Sequence, residues 1–135
     1  MSNNKNHFVG RVTPVRTSNV IRVNRTLPIR GTGTVVWKLN DDEGRTHVFK
    51  IHGTLYVPGL KNSILSPQHW ADQVHANDCT SAWEVTRRDT TTLHWNDGET
   101  KRTIPLSKGT NTPIVLPSQG TNQYRLSKAV FNANY

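Results

Sequence analysis

The chain has 135 residues, 33% of them hydrophobic, and carries 17 Lys and Arg against 9 Asp and Glu, a formal charge of +8. That length suits one domain with a real core, and the single Cys79 excludes an internal disulfide. No apolar run reaches the length of a membrane span and the polar start is no secretory signal, so the expectation is a soluble intracellular protein, cytoplasmic or nuclear, without a membrane partner.

Residues 1 to 12 are polar and read as a disordered start, 13 to 117 as the folded domain, and 118 to 135 as a polar linker. Val20-Ile-Arg-Val23 alternates loosely, Asn24-Arg25-Thr26 interrupts it, and Leu27-Pro-Ile29 resumes, which predicts a small hairpin turning at Asn24. Val35-Val-Trp-Lys-Leu39 is a β-branched and aromatic strand. A turn at 40 to 44 leads to a return strand from Thr46, in which Val48, Lys50 and His52 alternate with Phe49 and Ile51. Gly53 marks a bulge or bend before Thr54 to Val57. Ser66 followed by Pro67 is a helix start, with Ser66 as N-cap, and the helix is expected to end at Val74 or His75. Strands follow at 83 to 85 and 91 to 95. Asn96-Asp97-Gly98 turns the second into a hairpin with 101 to 106, and a last short strand lies at 113 to 116. Many short strands at turn spacing with one short helix predict an all-β, mainly antiparallel fold, a small barrel or sandwich.

Residues 55 to 66 carry the most distinctive run: Leu55-Tyr56-Val57-Pro58-Gly59, a short loop, then Ile64-Leu65-Ser66. Together with Gly31-Thr-Gly-Thr-Val35 and the charged turn at 41 to 47, this run resembles the protease-like segment of copia-type LTR retrotransposon Pol polyproteins, transposable elements in which Leu-Tyr-Val-Pro precedes a short loop and a Leu-Leu-Ser-like run. The resemblance covers residues 27 to 72, loosens through 90 to 106, and at Tyr124-Arg-Leu126 is similar to the entry of the pre-integrase region. It implies a retropepsin-like β-barrel, with Val23, Asn24, Arg25 and Thr26 at a flap over a substrate cleft. It further implies that Tyr56, Val57, Ile64 and Leu65 are apolar contacts where the chain threads the barrel. Other parts of the polyprotein and a second copy of the chain are the partners it suggests.

The resemblance also implies aspartic endopeptidase activity, and here the sequence departs from it. The family's catalytic Asp-Ser/Thr-Gly is absent: Asp41, Asp42, Asp72, Asp78, Asp89 and Asp97 are none of them followed by Ser/Thr-Gly. An aspartic peptidase needs two carboxylates sharing a proton, and a homodimer of this chain would supply neither. The expectation is therefore a catalytically incomplete module or relic. The alternative is an active peptidase whose aspartate lies on an upstream segment.

Charge adds a third reading. Lys5, Arg11, Arg16, Arg22, Arg25, Arg30 and Lys38 occupy the first 40 residues without one Asp or Glu. Such a basic face attracts nucleic acid weakly and without sequence preference, with Arg16, Arg22, Arg25 and Arg30 as the contact residues. No Trp or Tyr is interleaved with them to stack bases.

The remaining combinations carry less. His69, His75 and Cys79 lack the paired spacing and fourth ligand of a zinc site, so no metal is expected. Gly31-Thr-Gly33 lacks the third glycine of a dinucleotide fingerprint, so no cofactor is expected. Ser66 and His69 lack a nucleophile elbow. Trp37, Trp70, Trp83 and Trp95 read as core and edge aromatics, whereas an exposed Trp beside Arg22 or Arg25 would mark a stacking surface.

Overall fold

A computed structural model describes residues 1–16, 18–22, 25–110, 112–115, 124–126 and 133–134. Among these, the chain runs β1 (Phe8–Thr13), β2 (Ser18–Arg22), β3 (Arg25–Ile29), β4 (Gly31–Asn40), β5 (Thr46–Tyr56), β6 (Ser63–Leu65), α1 (Pro67–Asp78), β7 (Trp83–Thr86), β8 (Thr90–Trp95), β9 (Thr100–Pro105), β10 (Ile114–Val115), β11 (Tyr124–Leu126) and β12 (Ala133–Asn134). The strands form four three-stranded sheets, ordered β1-β4-β5, β12-β2-β3, β10-β11-β6 and β7-β8-β9. Among the described strands only β11 with β6 is parallel, and Ser2 adds one isolated parallel bridge to Tyr56. The fold is thus mainly antiparallel β with one helix.

The expected barrel is not closed by the described strands. At His52 the free edge of β5 meets α1 instead of another strand: His52 N–H donates to Gln73 Oε1 at 3.0 Å, and His69 Nε2 donates to His52 O at 2.7 Å. A helix that takes the edge's hydrogen bonds ends the sheet there.

The cores follow from alternation along the strands. Val35, Trp37 and Leu39 of β4 point inward and meet Ile51 of β5, Leu65 of β6, Trp70 and Val74 of α1, and Leu93, Trp95 and Ile104 of the β8–β9 hairpin. Phe49 joins Trp70 and Trp95 edge-on at 5.6 and 5.5 Å. Val48, Lys50 and His52 face outward as the period of two requires. A second, smaller core contains Leu27, Ile29, Val57, Leu60 and Ile64.

The bulge expected at Gly53 is present: the glycine stands at φ +66°, and the register of β5 on β4 shifts there between the pairs Gly33–Thr54 and Val35–Ile51. Several boundaries differ from expectation. The helix extends to Asp78 and stops where Cys79 turns left-handed, its N–H bonding His75 O. No helix breaker lies between Val74 and that turn. Residues 1 to 12, expected to be disordered, hold β1 and a buried Ser2. The 118 to 135 stretch, expected to be a linker, contributes β11 and β12 to two sheets. Its backbone groups satisfy the edges of β6 and β2, which outweighs its polar composition.

Candidate functional site

The 55 to 66 run forms a crossing. Val57 is fully buried, Tyr56 packs edge-on against Phe8 at 5.7 Å, and Leu55 leans on the second core. Pro58 and Gly59 are exposed at the turn apex, closed by Leu60 N–H to Val57 O at 3.2 Å. Burial falls on the flanking Val57 and Leu60. Gly59 lies close over Leu27, so that a Cβ there would stand 2.9 Å from Leu27 Cδ2 and push that side chain aside. Ile64 and Leu65 are both 3% exposed. Ser66 caps α1, its Oγ accepting from His69 N–H at 3.4 Å.

Met1 and Ser2 thread between β5 and β6. Ser2 N–H donates to Leu55 O and Val57 N–H to Ser2 O, each at 2.8 Å. Ile64 N–H donates to Met1 O at 2.8 Å, and the Met1 amine donates to Ile64 O at 2.7 Å. Burial pushes that amine down from 8.0 to about 5, because its partner is a neutral carbonyl.

Around this strand lies a polar cluster. Ser2 Oγ is 2.7 Å from His7 Nδ1 and 3.4 Å from Ser63 Oγ, and accepts from Asn4 N–H at 3.3 Å. Ser63 Oγ donates to Asn3 Oδ1 at 3.0 Å and accepts from Asn3 N–H at 3.2 Å. His7 Nε2 is buried without a hydrogen-bond partner among the described residues, and burial lowers the ring's pKa. A cleft of about 560 Å³ opens beside the cluster, lined by Asn3, Asn4, Lys5, Asn6, Tyr56, Lys61 and Asn62. It offers amides, two ammonium groups and a phenol, and no carboxylate. The Ser2–His7 pair is no hydrolytic dyad: Ser2 is fully buried, its hydroxyl already shared, and no acid orients His7.

The carboxylates gather elsewhere. At the β4–β5 tip Asp41 is 2% exposed. Its Oδ1 accepts from Glu43 N–H at 3.0 Å and Arg45 N–H at 2.9 Å, and its Oδ2 from Arg45 Nε at 2.9 Å and His47 Nε2 at 2.8 Å. Burial alone would raise this carboxyl, but the bonds from His47 and Arg45 and the guanidinium charge hold it well below the ordinary range. With four donors on four acceptor positions, Asp41 has none left to activate water. Asp42 is likewise engaged, its Oδ1 and Oδ2 accepting from Thr103 N–H and Oγ1 at 2.7 Å each.

The basic residues divide along the β2–β3 hairpin. Arg22 and Arg25 face each other at one end of the ladder, whose other end pairs Ser18 with Ile29. Four residue steps separate these ends, roughly 13 Å. Arg16 and Arg30 lie by the second end, both exposed, and Arg30 N–H donates to Tyr56 O at 2.9 Å. The flap-tip residues Val23 and Asn24 lie outside the described residues, whereas Thr26 is an exposed part of β3. His69 is occupied by His52 O, and among the described residues no three His, Cys, Asp or Glu side chains are placed to share a metal ion. Among the described residues, too, no helix is long and apolar enough to cross a membrane.

Sequence reasoning missed Met1, Ser2, Asn3, His7 and Ser63. His7 meets Ser2 five residues away, but Met1, Ser2 and Asn3 reach Ile64 and Ser63 about sixty residues along the chain, and nothing in a run of Ser and Asn announces such pairing. Comparison with known proteins adds no relative: no family model, curated protein or solved structure matches the chain.

Proposed function

We propose that the chain is the retropepsin-like β segment of a copia-type retrotransposon Pol polyprotein, without a catalytic carboxylate of its own. It acts as a structural and interaction module whose partners are the rest of the polyprotein or a second copy. The observation that carries this reading is the crossing at 55 to 66. The Leu-Tyr-Val-Pro strand end, the exposed turn and the buried Ile64-Leu65 pair run straight into a Ser66-capped helix, beside a cleft that lacks acid. Such a cleft can hold peptide by hydrogen bonds but cannot share a proton between two carboxylates. Purified chain incubated with Pol-derived peptides is expected to show no pepstatin-sensitive cleavage from about pH 3 to 7, where such a dyad titrates. Cleavage that disappears on changing one Asp would overturn it.

A second reading, an active peptidase completed by an Asp-Ser/Thr-Gly segment joined ahead of Met1, draws on the interior position of Met1. A peptide N–H there would donate to Ile64 O as the amine does, with no ionisable group to bury. Fusing such a segment to Met1 is expected on this reading to give pepstatin-sensitive cleavage; an inactive, folded fusion would eliminate it.

A further inference from the structure

The outer face of the β7-β8-β9 sheet has a composition that neither reading uses. Strand alternation sorts its side chains into two sets. Thr91, Leu93, Trp95, Thr100 and Ile104 point inward and are buried. Trp83, His94 and Lys101 form one cross-strand row on the opposite face, followed by Val85, Thr92 and Thr103, none of them buried. Trp83 is 40% exposed, while Trp37, Trp70 and Trp95 are at most 5% exposed.

The indole is held in place. Its ring lies on His94 at 5.2 Å with 13° between planes. Gly98 passes at its edge so closely that a Cβ would stand 2.7 Å from the ring. A ring fixed in this way loses little freedom when a ligand stacks on it. The face carries two cations and one carboxylate, Asp42, whose Oδ2 accepts from Thr103 Oγ1 at 2.7 Å. Lys101 is exposed in the Trp83 row, and exposed Arg87 follows Val85 on the same alternation, while Glu84 falls on the inward register. The carboxylates of the adjoining turn are engaged: Asp97 accepts from Ser81 N–H at 2.8 Å and Glu99 from Asn96 Nδ2 at 3.3 Å.

From this we infer that the outer face of the β7-β8-β9 sheet is a binding platform for single-stranded nucleic acid, a base stacking on Trp83 while phosphates meet Lys101 and Arg87. Aromatic stacking accepts any base, and Lys101 and Arg87 on a chain of net charge +8 can meet the phosphates of a polyanion. A duplex keeps its base faces covered, so the platform selects single strands. This is a different surface and a different mode from the electrostatic contact expected of the β2–β3 arginines.

The test is anisotropy of a labelled oligothymidylate and of a duplex of equal length, across a salt series. The single strand is expected to bind more tightly than the duplex. Trp83→Ala is expected to weaken single-strand binding about tenfold and leave duplex binding unchanged, with Trp83→Phe retaining part of the affinity. Lys101→Glu alters only an exposed side chain, so it tests the site even if Trp83→Ala misfolds; it should weaken binding and flatten the salt slope by about one unit. Wild-type single-strand binding by Trp83→Ala or by Lys101→Glu would overturn the proposal. So would a loss confined to the Arg22→Ala/Arg25→Ala double variant without single-strand preference, or binding of a neutral oligosaccharide in place of the oligonucleotide.

Discussion

Among the described residues lie two buried polar clusters, each with one histidine, and they are built on opposite principles. Around Ser2 the participants are neutral: two hydroxyls, asparagine amides, backbone and His7, whose Nε2 has no hydrogen-bond partner among the described residues. Around Asp41 the cluster is ionic, and His47 and Arg45 saturate one carboxylate. The difference teaches where acid chemistry could reside. The ionic cluster spends its carboxylate as a tie within a turn, whereas the residues lining the cleft beside the neutral cluster include no carboxylate.

The largest expected effect lies in the main core. Leu65, 3% exposed, joins β6 to the main core, and Leu65→Ala is expected to cost about 2–5 kcal/mol in urea unfolding as a large-to-small core change. If the neutral cluster depends on this scaffold more than the ionic one, amide exchange should accelerate at Ser2 and Ile64 before it does at Arg45.

Acidity separates the clusters next. With a free amine at Met1, burial holds that group near 5 against 8.0, so the unfolded chain takes up the proton first as pH falls. Stability is therefore full above pH 8, declines between 8 and 5, and levels off below, a loss of up to about 4 kcal/mol. His7, lowered by burial, adds loss of the same sign as pH passes below 6.5. Asp41 behaves differently: its carboxyl is depressed, so its contribution is complete above the ordinary carboxylate range and is lost only as pH falls below it. Urea melts from pH 8 to 3 should show two limbs. N-acetylation should remove most of the first, and Asp41→Asn only the second.

Ser2→Ala deletes a fully buried hydroxyl with three polar neighbours and should cost about 1–3 kcal/mol, since it strands His7 Nδ1 and Asn4 N–H. Thermal unfolding checks this, and a neutral result would mean that water replaces the hydroxyl. Smallest is Thr103→Val, which removes one of two bonds from Thr103 to Asp42; about 0.5–1.5 kcal/mol is expected, with the Asp41 cluster unchanged.

Local signals in the sequence gave reliable elements. The alternation of Val48, Lys50 and His52 against Phe49 and Ile51 set the faces of β5, Ser66-Pro67 set the start of α1, and Asn96-Asp97-Gly98 set the β8–β9 turn. What stayed hidden depends on distant partners. Ser2 is polar and lies in a polar run, yet it is buried because Leu55, Val57 and Ser63 surround it. Asp41 reads as an ordinary turn residue, and only folding brings His47 and Arg45 onto one oxygen. Trp83 is indistinguishable by sequence from the three buried tryptophans, since its exposure follows from the register of β7 on β8. The pairing of Tyr124-Arg-Leu126 with β6 is a fact of tertiary structure alone.

That pairing has a consequence in time. β6 is hydrogen-bonded by Met1 through Ile64 on one side and by β11 on the other, with Leu65 opposite Leu126. The first partner has been synthesised before β6 leaves the ribosome; the second follows about sixty residues later. At about 5–20 residues per second, the open edge of β6 persists for roughly 3–12 s of synthesis. For those seconds a nascent chain offers neighbouring nascent chains an unpaired strand edge, and crowding on one messenger would set the yield of folded protein.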